Sequence, residues 1–278
     1  MRAILTIFEM TLHEAARRRI LLASLVCGCA FLLLFGIGQH FILADIHKHG
    51  AGAVLQRGLI LNFFTLAGLY SVNFLTVMSA VLLPVDTLSG EIASGVLQTV
   101  ASKPIARRDI VLGKWLAYVL VVSAYLLLLA GGVVLEARYL AGFQLPGVAQ
   151  GLALMMLEAV VLVTLSIAGG TVLSTVTSGV VVFGLYGLAF IGSWVEQIGA
   201  MSANTAARDV GTVASLIMPS ESLWQLAAHH MQPPLMAQLS LTPFSPVSVP
   251  TPAMVYWAAG YIVVLLLIAL RVFAKRPL

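Results

Sequence analysis

The sequence predicts an all-α membrane protein. It should have six transmembrane helices, an amphipathic interfacial helix ahead of the first, and a helical outer loop between the fifth and sixth. Three observations predict this. Of the 278 residues, 60% are hydrophobic and 9% charged, where soluble domains carry about 25% charged residues; the mean hydropathy is +1.02. Six apolar runs approach or exceed the roughly 20 residues that cross a bilayer. Lys and Arg gather at the borders of those runs, mostly on one side. No polar stretch is long enough to build a soluble core, so residues 1–278 read as one membrane domain.

In residues 1–19, Ile4, Ile7, Phe8, Thr11, Leu12 and Ala15 recur at helical spacing, with Arg2, Glu9, His13 and Glu14 elsewhere on the wheel. Such a helix lies along the interface. Arg17, Arg18 and Arg19 then anchor the first span, 20–38. It continues through Phe31–Phe35 without a small-residue cleavage site, so it reads as a span and not a cleaved signal peptide. Cys27 and Cys29, two residues apart, point to different helix faces and read as structural.

A polar loop, His40–Arg57, is expected before the second span, 59–83. The third span, 115–135, follows a polar stretch at 84–114 and leads to a loop with Glu136, Arg138 and Pro146. The fourth span is 148–173. A Ser174–Gly179 turn precedes the fifth, 180–194, where Gly184, Gly187 and Gly192 suit close helix packing. An extracytoplasmic loop, 196–253, holds two short helices, Thr205–Met218 and Ser220–Met231, broken at Pro219. Pro233, Pro234, Pro243, Pro246, Pro250 and Pro252 extend its remainder. The last span is 254–270.

Six spans place both termini on one side. That side holds Arg2, Arg17, Arg18, Arg19, Lys103, Arg107, Arg108, Lys114, Arg271, Lys275 and Arg276, against Lys48, Arg57, Arg138 and Arg208 on the other. Cytoplasmic loops carry the Lys/Arg excess, so both termini and the 84–114 loop are expected in the cytoplasm. The net charge of +4 is then a topology signal. The lipid bilayer is the expected partner and nucleic acid is not.

The central loop, Pro84–Lys114, reads PVDTLSGEIASGVLQTVASKPIARRDIVLGK. Asp86 or Ser89 is expected to cap a helix running to about Val100, with Glu91 in the first turn and Pro104 as its stop. Glu91-x-x-Ser94-Gly95-x-Leu97, then Pro104-Ile105-x-Arg107, Ile110 and Gly113-Lys114, resembles the signature of ABC type-2 exporter permeases. The wider plan is similar to that family too.

The resemblance implies a permease subunit of an ATP-driven exporter in a bacterial inner membrane. It implies a second permease copy, as a homodimer or a heterodimeric pair, meeting through the first and fifth spans. Separate ATP-binding-cassette subunits would hold ATP and Mg. The chain itself has no G-x-x-x-x-G-K-[ST] loop, so it is not expected to be the ATPase or to bind a cofactor. By the family's layout Asp86, Glu91, Ser94, Gly95, Leu97, Pro104, Arg107, Gly113 and Lys114 would couple to the ATPase. Drug, lipid, glycan, peptide and a factor for a periplasmic enzyme all stay open as substrates, and a periplasmic partner with them.

Glu158 lies inside the fourth span, where an ionisable group is costly and is read as functional by default. Two readings stand: it lines the translocation path or binds a cationic part of a substrate, or it is protonated or paired with a neighbouring helix. His40, His47, His49, His229 and His230, with Met231 and Met236, are copper-type ligands. One branch of the resembled family serves copper-enzyme maturation. Loop histidines ordinarily face water, however, and no metal site is expected. An intramembrane enzyme would have only Glu158 and these histidines for its chemistry. A channel or ion-coupled transporter would show interrupted spans with several internal charges, and the spans offer one.

Overall fold

The computed structural model describes residues 2–49, 54–95, 106–234 and 248–276. Among them six helices are long and apolar enough to cross a membrane: α2 (Arg19–His49), α3 (Val54–Leu82), α5 (Arg107–Ala141), α6 (Val148–Gly170), α7 (Thr175–Met201) and α10 (Ala253–Lys275). Four others do not span: α1 (Arg2–Arg17), α4 (Ser89–Ala93), α8 (Thr205–Ile217) and α9 (Ser220–His230). The all-α, six-span class holds, and the protein is a multi-pass membrane protein. Here the end carrying α1, α4 and the last turn of α10 is the basal end, and the other is the far end.

Helix α1 lies against the start of α5. Its Ile7, Thr11 and Ala15 are buried, and a side chain at Gly113 would strike Ile7 and the Ile4 carbonyl. The glycine is what lets the two helices come this close. Helices α5 and α6 form the centre, burying Tyr118, Leu126 and Leu129 on one and Met155, Leu162 and Ile167 on the other. α2 and α10 pack at the periphery and present Leu33, Leu34, Val263 and Val264 outward, an apolar surface suited to the bilayer interior.

The helices overrun the apolar runs. α2 continues to His49 and α3 begins at Val54, so most of the polar loop expected at His40–Arg57 is helical. The apolar Phe41, Ile42, Leu43 and Ile46 carry the first span to Ile46, past the expected end at 38. α5 runs 35 residues before Gly142 closes it at φ 63, with the Phe143 N–H on the Ala137 carbonyl at 3.0 Å. The basal turn between α6 and α7 ends at Ser174, the N-cap of α7, so α7 starts earlier than the expected 180.

The main departure from the sequence reading is at 196–253. α7 continues to Met201, and α8 then folds back along it: Ala207 lies against Gly199, Gly211 against Glu196 and Ala214 against Gly192. These pairings carry the chain to about the middle of α7 before it turns at Met218–Pro219. α9 then climbs back beside α6, until the His230 carbonyl meets Gly147 and Met231 fills the space beside Gly151. Ser220 to Ala228 are buried without a break. The expected outer helices are therefore a re-entrant hairpin in which α9 is enclosed by the bundle, while α8 lies on the outside of α7 with Val210, Val213, Leu216 and Ile217 exposed. Of the three α7 glycines expected to pack closely, Gly192 does so, whereas Gly184 and Gly187 face open space.

Candidate functional site

The basal end gathers most of the motif residues around the elbow between α3 and α5. After Leu82 the chain makes two tight turns in which Leu83, Thr87 and Leu88 are fully buried. Helix α4 is a single turn and a half, closed by Ser94 and by Gly95 in the left-handed region at φ 73. It ends at Ala93, short of the expected Val100. Neither Asp86 nor Ser89 caps it: the N-cap is Leu88, with no side-chain cap bond.

Those two side chains are engaged across the elbow instead. Asp86 Oδ1 accepts from Thr175 Oγ1 at 3.0 Å, and Ser89 Oγ lies 2.7 Å from the same Thr175 hydroxyl. Ser89 Oγ also donates to the Val85 carbonyl. On its other oxygen Asp86 faces Arg18 at 3.8 Å, and Arg18 is paired with Glu14 at 2.5 Å. The elbow is thus tied to α7 on one side and to the α1–α2 junction on the other.

The link to α5 is made by Lys114, which is 5% exposed. Its Nζ lies 2.5 Å from Glu91 Oε1, 3.2 Å from Thr87 Oγ1 and 3.4 Å from the Thr87 carbonyl. All three ammonium donors are used, which is what makes a buried ion pair tolerable. Gly113 beside it sets the α1 approach. Arg107 points elsewhere: its Nη1 donates to the Ala274 and Arg276 carbonyls at the end of α10, while Arg276 donates to the Thr171 carbonyl. Ser94 Oγ reaches only the Glu91 carbonyl, at 3.4 Å. Leu97 and Pro104 lie outside the described residues.

So the structure brings Glu91 and Lys114 together, sets Asp86 and Gly113 on the flanks, and places Arg107 in a second basal knot. Thr87, Thr175, Arg18 and Arg276 were missed by the sequence reading. Their side chains are common at membrane borders, and nothing in their spacing singles them out.

Together α4 and the knot join four spanning helices, α3, α5, α7 and α10, at one end of the bundle. The sequence as a whole matches a family model described as ABC-2 family transporter protein, over residues 5–278. The chain belongs to the ABC-2 transporter family. The ABC-2 chain is accordingly the permease component of an ABC transporter. A search of curated proteins finds no match to it.

The second polar region of this permease lies midway along the bundle. Glu158 is 1% exposed, and its Oε1 accepts from Asn73 Nδ2 at 3.3 Å. Tyr70, one turn from Asn73, stacks on Trp224 of α9 with ring centroids 5.3 Å apart. Gln225 donates to Ser193, tying α9 to α7. Glu221 on α9 is 5% exposed; the sequence reading passed over it because the surrounding SESLWQLAAHH reads as a solvated loop.

Among the described residues no three His, Cys, Asp or Glu side chains come together. His229 and His230 are adjacent at the far end, with ring centroids 6.0 Å apart. Partial burial, and then the neighbouring His230, lower the pKa of His229 below the ordinary histidine value. His40 lies far along α2 beside Phe41. The side chains of His47 and His49 are outside the described residues. Cys27 and Cys29 are free and exposed.

Proposed function

We propose that this permease is the membrane half of an ATP-driven exporter, coupled through the α3–α5 elbow to a separate ATP-binding-cassette subunit that holds ATP and Mg. The observation that carries the reading is the Glu91–Lys114–Thr87 knot, which welds α4 to the start of α5 at the residues where the exporter motif falls. Closure of the ATP-binding subunits would push α4. The knot and the Asp86–Thr175 bond would carry that push into α5 and α7.

The basal end is then cytoplasmic, which agrees with its Lys/Arg excess and with the positive-inside rule. The membrane is a bacterial inner membrane, and the permease works as a pair of copies. The open faces at Gly184 and Gly187 of α7 suit a close contact between α7 helices of two copies. Glu158 lies beside the path.

A photo-crosslinking side chain placed at exposed Ser94 tests the coupling, in membranes that also contain the ATP-binding subunit. The expected result is an adduct with that subunit, and none from Val210 at the far end. Adducts from Val210 and not from Ser94 would overturn both the coupling surface and the membrane sidedness. Glu91→Gln, which keeps an acceptor for Lys114, should leave the protein folded by gel filtration while reducing ATP-driven transport.

A further inference from the structure

The tip of the α8–α9 hairpin carries Glu221 to a place where a bare carboxylate is not stable. Two independent sets of contacts fix where it arrives. At the far end α9 meets α6 through His230–Gly147 and Met231–Gly151. From there the helices run inward together, about 14 Å to Glu221 on α9 and about 16 Å to Glu158 on α6 at 1.5 Å per residue. On α3, Tyr70 stacks on Trp224. One turn deeper on those two helices lie Asn73, which donates to Glu158, and Glu221. Both routes bring the two carboxyls to within about one helical turn of the same depth. Tyr70 of α3 and Tyr186 of α7 lie close to both carboxyls.

Neither carboxyl has the surroundings a charge requires. Oε2 of Glu158, Oε2 of Glu221 and Oγ of the adjacent Ser220 are all buried without a hydrogen-bond partner. The groups facing the pair are Asn73 and Tyr70 from α3 and Tyr186 from α7. α5 is uncharged from Trp115 to Leu135, with Tyr118 and Tyr125 as its titratable side chains. α10 is uncharged from Ala253 to Leu270, with Tyr256 and Tyr261, and α8 carries Arg208 and Asp209 only near its far-end start. An ionised carboxylate at such depth is strongly disfavoured, and two together repel. A positive charge must therefore accompany them, and oxygens so closed off leave room for one with no volume.

We propose that Glu158 and Glu221 form a proton-binding site at the centre of the membrane domain, assembled by the re-entrant hairpin. At least one of the two carboxyls holds a proton, which removes the cost of burying both as charges. The inference goes beyond the transport reading, and its test needs neither nucleotide nor substrate.

The test is infrared spectroscopy of the full chain in dodecyl maltoside, which has no carbonyl of its own. At neutral pH the wild type should show the carbonyl stretch of a protonated carboxyl, shifted in heavy water. The band should appear in the difference spectra of both Glu158→Gln and Glu221→Gln. Its absence from both differences overturns the site, and its presence in only one gives the proton to a single residue and overturns the pair. Gln keeps the shape and bonding of a neutral carboxyl, so both variants are expected to fold. If one does not, a pH series on the wild type decides. The band should persist well above the ordinary carboxylate range of about 4, and its loss within that range overturns the proposal.

Discussion

Lys114 at the start of α5 and Glu91 on α4 lie 2.5 Å apart, across a stretch of chain that leaves one spanning helix and enters the next. The pair is more enclosed than a surface salt bridge, with the lysine nearly buried and Thr87 taking the remaining donors. Position alone makes it the mechanical joint between the elbow and the bundle.

Removing one partner should therefore cost more than removing both. Lys114→Met leaves Glu91 and Thr87 without their shared donor, an expected loss of about 1–3 kcal/mol. The Lys114→Met, Glu91→Gln double variant should recover part of that stability. Thermal unfolding of the four proteins in detergent gives the coupling energy. ATP-driven transport should stay low in both single variants and in the double, since stability is recovered and the joint is not. Additive stability losses would mean that the pair is not a joint.

The α7 glycines make a contrast. At Gly192 and Gly211 a new side chain would strike Ala214 and the Glu196 side chain, respectively, whereas at Gly184 it would meet nothing. Gly192→Val and Gly211→Val should each lose about 1–3 kcal/mol by overpacking and expose α8 to limited proteolysis. Gly184→Val should leave monomer stability unchanged and weaken pairing of copies in a crosslinking assay. Equal stability losses at all three positions would contradict the hairpin's seating on α7.

The basal knot of Arg107 and Arg276 predicts a smaller effect. Each arginine satisfies carbonyls at a helix end or turn, Ala274 and Arg276 in one case and Thr171 in the other. Arg276→Ala frees both the Thr171 carbonyl and the chain that Arg107 holds, so Arg107→Ala on top of it should add little. Each single variant should lose about 1 kcal/mol, read by thermal unfolding. Hydrogen exchange should rise at Thr171–Ser174 in Arg276→Ala.

Spans were legible in the sequence because a single property, apolar length, decides them. Their ends were not, since helical hydrogen bonding continues past the point where an apolar run is first interrupted, as in α2 after Gly38. The motif at 84–114 marked the elbow, but the Glu91–Lys114 contact lies outside any helical period and needs the fold to close it. The hairpin was the least legible part. Ser220–His230 has a polar composition, and its burial comes from other helices packing around it, chiefly α6 and α7, with α3, α8 and α10. Two signals were present. Gly211 and Ala214 are spaced to meet Glu196 and Gly192 across a tight turn, the small-residue pattern of helices in close contact. Glu221, followed by no cation on its helix, was the other.

Asn73 gives the sharpest test of how the centre of the domain handles charge. Its amide donates to Glu158, so Asn73→Asp replaces a donor by a third acid of nearly the same shape. An added carboxylate at this depth should cost about 2.5–3.5 kcal/mol, whereas Asn73→Leu, which loses only the hydrogen bond, should cost about 1–2 kcal/mol. The two variants also differ in sign with pH. Folded Asn73→Asp holds a proton that its unfolded chain releases, so its deficit should shrink as pH falls toward the ordinary carboxylate range and grow as pH rises above it. The Asn73→Leu deficit should follow the wild type across the same series. Thermal unfolding of the three proteins at several pH values decides the matter. A deficit in Asn73→Asp that is flat with pH would mean that water already reaches Glu158, so that the centre of the bundle is not the dry, proton-holding place its burial indicates.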